Sequence, residues 1–384
     1  MGTFDVAVVG AGVHGASAAF HLAGRGLRVL VLERSEPAGG PTGASSAICR
    51  AYYTDPFLAG VARESIEMLR GSLERFGVDA GFRPTGFLFL HPPEDEAEVR
   101  SSVERLNAVG VVTELLDAEA VAVRFPAYDL AGVGIAALER DAGYADPHAT
   151  TEGLLRRATE RGAIVRTRAP VRAIAADERG VTLTTGDGET VACGRALIAA
   201  GPWSGPLAAQ VGADLPLTVE RHVVATFRWA GAEPVPAHGD LIGGYYFRPE
   251  GEDLYLVGSV HEAPKADPDH FDAAIREPEI RTLAEAVVRR VPHLEASASQ
   301  GGWASVYDVS PDWQPMIGEV APGVFLDAGT SGHGFKLAPA LGRHVADLVT
   351  GAPDVDPGLA AFDPFRFERG EGLAAGYGTA RILG

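Results

Sequence analysis

The first 33 residues carry the pattern that most restricts what this chain can fold into. An apolar run leads into Gly10-Ala11-Gly12-Val13-His14-Gly15, a helix-compatible segment follows, and a second apolar run ends at Glu33. Gly10 permits a tight turn, Gly12 lets the backbone approach a pyrophosphate, and Gly15 lets helix and strand pack closely. The helix N-terminus offers free N–H groups to phosphates, and Glu33 can accept both ribose hydroxyls. The pattern predicts a dinucleotide-binding βαβ unit, with a glycine turn in an ordinary βαβ unit as the alternative.

The composition limits the partners of the chain. Its 384 residues carry a net charge of −18, which disfavours nucleic acid and anionic membranes because both bind basic surfaces. No apolar run approaches the roughly 18 residues of a membrane span, and no signal peptide precedes the first strand, so we expect a cytoplasmic protein. Cys49 and Cys193 are too few for a disulfide framework or a metal cluster, so we expect no bound metal.

Hydrophobic periodicity predicts both helices and strands over the rest of the chain. Helical spacing covers residues 57–76, 94–109, 152–161, 272–291 and 338–350. Strand patterns cover residues 163–167, 195–200, 223–229, 254–260 and 323–328, and a hairpin spans 180–193. The pieces of the dinucleotide-binding unit therefore lie at the start, middle and end of the chain, with β-rich insertions between them.

A series of segments spread over residues 4–350 resembles the FAD-dependent D-amino acid oxidase and sarcosine oxidase superfamily. The nearest likeness is to its sarcosine oxidase and dimethylglycine dehydrogenase branch. The segments are, in order, GAGVHG (10–15), Glu33, GASSAICR (43–50), DAGYADPH (141–148), ALIAAGPWS (196–204), GGYYFRPE (243–250), GWASVYDVSPDWQPMIG (302–318) and GTSGHGFK (329–336). The resemblance implies FAD as the dinucleotide. A nicotinamide-dependent dehydrogenase is the alternative that the glycine fingerprint leaves open.

The fold class implied is α/β (α+β overall), with segments of two domains interleaved in sequence. We expect a Rossmann-like FAD-binding domain formed by residues 1–85, 143–218 and 296–366. A second, β-rich substrate domain would comprise 86–142 and 219–295. Residues 367–384 would form a surface tail.

The resemblance also implies which residues hold FAD. Those near the AMP half and the pyrophosphate are Gly10, Gly12, Val13, His14, Gly15, Glu33 and Arg34. Those along the pyrophosphate and flavin edge, at adenine and on the phosphate side are Gly43, Ala44, Ser45, Ser46, Val171, Gly201 and Trp203. Ser45 and Ser46 could instead cap a local loop. We expect no covalent link to the flavin, because Ser305 stands where sarcosine oxidases carry the tethering cysteine.

The segment Gly329–Lys336 is predicted to be a turn that faces the flavin. It is not a nucleophile elbow, since His333 occupies the place of the second glycine in G-x-S-x-G. Its backbone N–H groups would stabilise negative charge at the flavin C2 carbonyl. The members of this turn assigned to the cofactor are Gly332, His333, Gly334, Phe335 and Lys336. His333 has packing against the flavin edge as the alternative to a catalytic role.

A second group of residues is predicted to hold the substrate. By resemblance, Arg50 and Lys336 bind its carboxylate. The choice of lysine is informative because Lys265 and Lys336 are the two lysines among 33 lysines and arginines. Tyr246 and Tyr307 would line the amine, and His261 would assist its binding. A structural ion pair for the arginine, core packing for a tyrosine and a structural role for the histidine remain open.

The implied activity is oxidation of the C–N bond of an amino acid or a secondary or N-methyl amine. The substrate could be sarcosine-like, a cyclic imino acid or a D-amino acid. Hydride transfer to flavin N5 would give an imine that hydrolyses, and the electrons would pass to oxygen, a quinone or an acceptor protein. We expect slow reaction with oxygen, because Leu256 stands where sarcosine oxidases have a lysine near N5. An FAD-holding subunit or assembly factor without turnover of its own is the alternative.

Overall fold

The computed structural model describes residues 4–229 and 235–373. Its helices and strands alternate along much of the chain. The helices are α1 (Val13–Gly24), α2 (Pro56–Arg70), α3 (Ser72–Phe76), α4 (Glu96–Ala108), α5 (Ala118–Arg124), α6 (Pro147–Glu160), α7 (Ser204–Ala209), α8 (Glu277–Arg290) and α9 (Ala338–Thr350). The first strands are β1 (Phe4–Val9), β2 (Val29–Leu32), β3 (Ile48–Cys49), β4 (Phe87–His91), β5 (Thr113–Asp117), β6 (Ile135–Glu139), β7 (Gly143–Tyr144), β8 (Ile164–Arg166) and β9 (Val171–Asp177). The later strands are β10 (Gly180–Thr185), β11 (Thr190–Ile198), β12 (Thr218–Arg228), β13 (His238–Asp240), β14 (Tyr245–Glu250), β15 (Leu254–Ser259), β16 (Ala298–Val309), β17 (Met316–Ala321) and β18 (Val324–Ala328).

The first sheet brings together strands from the start, middle and end of the chain. Its order is β17-β18-β11-β1-β2-β8, and β10 and β9 continue from β11. The pairs from β18 to β8 are parallel, and β17 runs antiparallel to β18. Helices α1, α6 and α9 pack together, while α7 contacts β9, β11 and β18. Because the central strands are covered on both faces, β1 and β2 are almost continuously apolar.

The second sheet has the order β16-β12-β15-β14-β13-β4-β6-β5. Alternate residues of β14 point to opposite faces of the second sheet. Tyr245 and Phe247 belong to the apolar cluster that includes α8, whereas Tyr246 belongs to the cluster shared with the first sheet. Strand β16 belongs to this second sheet through its pairing with β12, although the sequence groups residues 296–366 with the FAD-binding domain. The division into domains stays a prediction, and residues 374–384 of the predicted tail lie outside the described part.

Several element boundaries differ from the sequence prediction for local reasons. The helix predicted over 57–76 is divided at Gly71 into α2 and α3. Helix α6 begins at Pro147 rather than at 152, because the Asp146 side chain accepts from the Ala149 N–H at 2.9 Å and proline suits the first helical position. Helix α8 begins at Glu277 rather than at 272. Helix α9 has the predicted bounds.

Candidate active site and cofactor cavity

A cavity of about 860 Å³ lies where the parallel strands of the first sheet end and β16 of the second sheet meets them. This is the edge at which open α/β sheets bind their ligands. The predicted residues that line it are Gly10, Gly12, Val13, His14, Glu33, Arg34, Ala44, Ser45, Val171, Gly201, Trp203, Tyr307, Gly332, Gly334 and Phe335. The predicted residues outside its lining are Gly15, Gly43, Ser46, Arg50, Tyr246, His261, His333 and Lys336. The cavity thus follows the predicted cofactor residues and stops short of most substrate residues.

Two glycines set the shape of the first turn. Gly10 has φ 106°, a conformation that favours glycine, and a Cβ there would come within 2.4 Å of the Ala199 carbonyl oxygen. A Cβ on Gly15 would stand 2.0 Å from the Gly10 carbonyl oxygen. Helix α1 can therefore approach β1 only because Gly15 lacks a side chain. The resulting arrangement leaves the start of α1 facing the cavity, as a dinucleotide requires.

Glu33 stands at the end of β2 with its carboxylate directed back to the glycine turn. It accepts from the Ala11 N–H at 2.7 Å and from the Ser35 N–H at 2.8 Å. These bonds hold the carboxylate at the cavity wall. Its assignment to the ribose hydroxyls fits this position and stays a prediction.

A loop from the second sheet reaches the cavity at Asp269. The Asp269 carboxylate pairs with Arg34 at 2.8 Å and accepts from the Trp203 indole N–H at 3.0 Å. The Arg34 guanidinium also lies 4.4 Å from the centroid of the Trp203 ring. Since Pro268, Asp269 and Phe271 all line the cavity, this loop forms part of its outer wall.

The turn at residues 329–336 packs closely against β16 and α1. Gly332 has φ 81°, and a Cβ on it would lie 2.2 Å from the Tyr307 ring. The Asp308 carboxylate accepts from the Gly329 N–H at 2.6 Å. His14 reaches across from α1, with Nε2 3.1 Å from the Gly334 carbonyl oxygen and Nδ1 2.9 Å from an Asp327 carboxylate oxygen. These contacts join three parts of the chain around the predicted flavin turn.

Arg50 and Lys336 are both buried and lie close enough to affect each other's charge. Arg50 donates to the Tyr52 carbonyl oxygen at 2.5 Å, and its guanidinium lies 5.0 Å from the centroid of the Tyr53 ring. Lys336 Nζ donates to the His333 carbonyl oxygen at 3.3 Å. Burial, followed by the nearby charge of Arg50, lowers the pKa of Lys336 well below its ordinary value. The structure therefore brings together the two cations that the sequence pairs.

Glu139, at the end of β6, is a buried carboxyl group that the sequence analysis missed. Its oxygens accept from the Ala51 N–H at 2.8 Å and from the Tyr52 N–H at 3.0 Å. Burial raises the pKa of Glu139 to about 7, although these backbone donors and Arg50 act in the opposite direction. Glu139 holds the segment that follows Arg50, and no sequence motif links positions so far apart.

His333 lies behind the turn, between two polar partners. Its Nε2 is 2.7 Å from the Trp313 carbonyl oxygen, and its Nδ1 is 3.1 Å from the Tyr53 hydroxyl. A carbonyl oxygen can only accept, so Nε2 carries the proton and Nδ1 accepts from Tyr53. Burial lowers the pKa of His333 to about 3, which agrees with a neutral ring.

Tyr246 and Tyr307 are brought together across β14 and β16. Their hydroxyl groups hydrogen-bond each other, and Tyr246 also bonds the Ser46 side chain. The Tyr307 ring stacks on His222 with centroids 4.0 Å apart. Burial raises the pKa of both tyrosines, so they are neutral hydroxyl groups at physiological pH. The pair links the edge of the cavity to the second sheet.

The structure does not bring His261 or Lys265 to the cavity lining. His261 is exposed and packs against Gly244, whereas Lys265 pairs through its backbone with Glu220. Leu256 is buried on β15, and the residue directly opposite it is Arg248 on β14. Arg248 is buried, donates to the Ser46 carbonyl oxygen at 2.5 Å and pairs with Glu250. Arg248 was not predicted as a site residue from the sequence, although it follows Tyr246 by two residues and so shares its face of the strand.

The two cysteines are buried, and their thiols stay protonated at physiological pH. Burial raises the pKa of Cys49 to about 12 and that of Cys193 to about 11. Ser305 lines the cavity, and neither cysteine does. Over residues 4–229 and 235–373, no group of three or more His, Cys, Asp or Glu side chains is arranged to hold a metal ion. Within the same ranges, no helix has the length and apolar character needed to cross a membrane.

Comparisons with known proteins agree with this geometry. The family described as FAD dependent oxidoreductase matches residues 5–348. The chain is 28% identical to the monomeric sarcosine oxidase of Streptomyces avermitilis, over 95% of this chain and 98% of that protein. It is also 28% identical to the N-methyl-L-tryptophan oxidase of Citrobacter koseri, over 95% of this chain and 99% of that one. The solved L-proline dehydrogenase from P. horikoshii superposes with a TM-score of 0.86 at 26% identity, covering 96% of this chain and 98% of that structure.

Proposed function

The chain belongs to the FAD-dependent oxidoreductase family, and we propose that it oxidises the C–N bond of a small amine that carries a carboxylate. Three substrate classes fit: N-methyl amino acids, cyclic imino acids and D-amino acids. The relatives named as sarcosine, N-methyl-L-tryptophan and L-proline enzymes support oxidation next to an amine nitrogen. The finer choice among these substrates is open to experiment.

The observation that carries the proposal is the burial of Arg50 and Lys336 side by side next to the flavin turn. Burial lowers the pKa of Lys336, and the nearby Arg50 guanidinium lowers it further because the two buried cations repel each other. An anionic ligand placed between them would relieve that repulsion and would favour the protonated form of Lys336. A substrate carboxylate supplies such an anion, and charge-assisted bonds to it would hold the amine end toward the cavity.

In the proposed oxidation, FAD and the residues around it have separate roles. When bound, FAD accepts the pair of electrons removed from the C–N bond. The substrate loses a hydride and a proton, and water converts the resulting imine to a carbonyl compound and an amine. Tyr246 and Tyr307 would orient the amine with neutral hydroxyl groups, and the buried surroundings would exclude water until the imine leaves.

Anaerobic titration tests this function. The purified protein, loaded with FAD, would be mixed with N-methyl amino acids, cyclic imino acids and D-amino acids while the flavin absorbance is recorded. We expect at least one class to bleach the flavin and to release a carbonyl product. A protein that holds FAD but is bleached by no member of these classes would contradict the proposal and would favour an FAD-holding subunit.

The flavin is proposed to be held without a covalent link. Ser305 lines the cavity, and by resemblance it is the residue that matches the tethering cysteine of sarcosine oxidases, whereas Cys49 and Cys193 both lie outside the lining. Acid precipitation should leave a colourless pellet and a yellow supernatant. A yellow pellet would contradict non-covalent binding.

The acceptor of the electrons is proposed to be a dye, a quinone or a protein rather than oxygen. Leu256 is uncharged, and Lys265 lies outside the cavity lining. Arg248 lies opposite Leu256 and is the buried cation that could reverse this preference. Stopped-flow mixing of the reduced protein with aerated buffer, for the parent chain and for Arg248→Met and Lys265→Met, measures the rate. Reoxidation as fast as that of an oxidase would contradict the proposal, and slowing by Arg248→Met alone would identify the cation.

A further inference from the structure

The ring of His14 is surrounded by oxygen acceptors at both nitrogens. Nδ1 lies 2.9 and 3.0 Å from the two carboxylate oxygens of Asp327, and Nε2 lies 3.1 Å from the Gly334 carbonyl oxygen. A neutral imidazole donates through one nitrogen and accepts through the other, whereas an imidazolium donates through both. A carbonyl oxygen cannot donate, so Nε2 must carry a proton. From this geometry we propose that His14 is a fixed imidazolium cation in the wall of the FAD cavity, and that its charge favours binding of the anionic cofactor.

A neutral His14 ring is compatible with the same distances only if Asp327 is protonated. Asp327 could hold the second proton and donate it to Nδ1. Imidazole is the stronger base, with an ordinary pKa of about 6.5 against about 3.9 for aspartate, so the proton belongs on the ring when the two share it. Asp308 faces the same region from β16 and adds a second negative charge that favours the cation.

Two effects oppose the positive charge on His14. Burial disfavours it, and so does the positive end of the dipole of α1, because His14 lies in the first turn of that helix. His333 in the turn is neutral and contributes no full charge. Burial is the largest single effect on His14, but the Asp327 carboxylate and then Asp308 outweigh it and raise the pKa of His14 above its ordinary value.

The position of the charge gives it a role. His14 lines the cavity, and so do more carboxylates than guanidinium groups. In the described part of the chain the charged residues of the lining, His14 aside, are Glu33, Arg34, Arg172, Asp269, Asp308 and Asp327. FAD carries a negatively charged diphosphate, which Asp308 and Asp327 would repel. A cation bonded to Asp327 offsets that carboxylate and so lowers the electrostatic cost of admitting FAD.

His21 offers a matched control on the same helix. Its Nε2 lies 2.9 Å from the Pro339 carbonyl oxygen, so it too joins α1 to the C-terminal part of the chain. Burial lowers the pKa of His21 to about 4, which makes it a neutral ring at pH 7. The two histidines therefore differ in charge while both bond a distant backbone carbonyl.

Nitrogen NMR of the FAD-free protein, labelled with ¹⁵N-histidine, reads the charge directly. Signals are assigned by comparison with His14→Gln and His21→Gln. At pH 7 we expect two protonated nitrogens for His14 and one for His21. In Asp327→Asn the His14 ring should lose its charge at the same pH. One unprotonated nitrogen on His14 in the parent protein would overturn the proposal.

FAD titration of the same proteins tests the role. His14→Gln keeps a donor for Asp327 without the charge, and we expect it to bind FAD about tenfold more weakly, while His21→Gln binds as the parent does. Equal affinity in His14→Gln, or equal losses in both variants, would overturn the assigned role. This inference rests on FAD as the cofactor and not on the amine substrate, so a failed substrate scan leaves it intact.

Discussion

The wall of the cofactor cavity and the region around Arg50 and Lys336 are formed in different ways. Val9, Gly10, Gly12 and Val13 line the cavity, and the close contacts at Gly10 and Gly15 set the shape of this turn. Around Arg50 and Lys336, buried ionisable side chains from three separate segments meet, with Glu139 at the end of β6. The first region depends on the absence of side chains, and the second depends on their charges.

This difference predicts two kinds of sensitivity. A glycine at a close contact can only be replaced by something larger, so its substitution fails for steric reasons at every pH. A buried charge is stabilised or destabilised by its neighbours, so its substitution acts through electrostatics and changes with pH and with bound anions. Substitutions in the two regions should therefore be separable by experiment.

The largest effect is expected from Gly15→Ala. The new Cβ would meet the Gly10 carbonyl oxygen at 2.0 Å, and neither α1 nor β1 can move without disturbing the sheet. We expect a loss of about 3 kcal/mol or more in the free energy of unfolding, together with loss of FAD, at all pH values tested.

Gly60→Ala is the control for this substitution. Gly60 lies within α2, and a Cβ there would meet nothing within 4 Å. This variant should be more stable than the parent by about 0.5–1 kcal/mol and should retain FAD. Urea unfolding with parallel measurement of bound flavin checks both variants. If Gly15→Ala is as stable as Gly60→Ala, the steric account of the wall is wrong.

Lys336→Met should act in the opposite sense on stability and on ligand binding. It removes a buried cation whose pKa is lowered first by burial and then by Arg50, so relative to the parent its stability should rise as the pH falls below the ordinary lysine pKa of about 10.5. Binding of a carboxylate ligand should fall about ten- to a hundredfold, as expected for about 1.5–3 kcal/mol from a charge-assisted contact.

Lys265→Met is the control for this substitution, because it removes the other lysine of the chain, which also lies outside the cavity lining. Flavin absorbance reports binding of a carboxylate and of the corresponding decarboxylated amine. We expect Lys336→Met to weaken only the carboxylate. If Lys336→Met binds both ligands as tightly as the parent does, Lys336 does not bind the substrate carboxylate.

Glu139→Gln should change how stability depends on pH. The folded protein holds the Glu139 proton up to a pKa of about 7, whereas the unfolded chain releases it near the ordinary value. At this group the folded state binds more protons between those two values, so its contribution to stability falls as the pH rises through that window.

The difference between the parent and Glu139→Gln isolates this contribution from that of the buried histidines. Relative to the parent, the variant should gain stability from about pH 4.5 to 7, with a slope of at most about 1.4 kcal/mol per pH unit. Thermal unfolding at half-unit pH steps gives the slope. Parallel curves for the two proteins would show that Glu139 titrates normally in the fold.

The smallest effect is expected at the exposed contact between Asp269, Arg34 and Trp203. Both members of the ion pair are nearly half exposed, so solvent screens it. Asp269→Asn should speed FAD release by at most about fivefold, in keeping with the ~0.2–1 kcal/mol of an exposed pair. Asp141→Asn, which weakens an exposed pair with Arg70 outside the cavity lining, should leave the release rate unchanged. Equal rates in all three proteins would show that this loop does not retain the cofactor.

The same contrast explains how much the sequence could predict. The glycine turn, Glu33 and helix α9 follow from local patterns, because close packing and capping leave signatures within a few residues. The turn at 329–336 and the positions of Arg50 and Lys336 came from the family resemblance. Glu139, Asp327 and Tyr53 carried no such signature, since each acts on a residue that is remote in sequence.

Arg248 and His261 illustrate two features that sequence patterns alone could not predict. Period-two alternation places Arg248 on the same strand face as Tyr246, but only the pairing of β14 with β15 sets it opposite Leu256. His261 stands just past the end of β15, and the sequence could not determine on which side of the sheet the chain continues. Register and chain direction beyond a strand are properties of the assembled sheet.

The pairing of β1 with β11, and of β11 with β18, has a consequence for biosynthesis. Strand β1 pairs with β2, which follows it closely in the chain, but its other neighbour, β11, lies almost 200 residues later, and β18, which pairs with β11, lies more than 300 residues after β1. Parallel pairing over such separations is slow, and the nascent chain meanwhile exposes a strongly apolar strand edge. The turn at 329–336 is likewise synthesised more than 300 residues after the glycine turn at 10–15. We therefore expect FAD to be loaded only after the turn at 329–336 has been synthesised, and chaperones or a supply of free FAD to matter most at that stage.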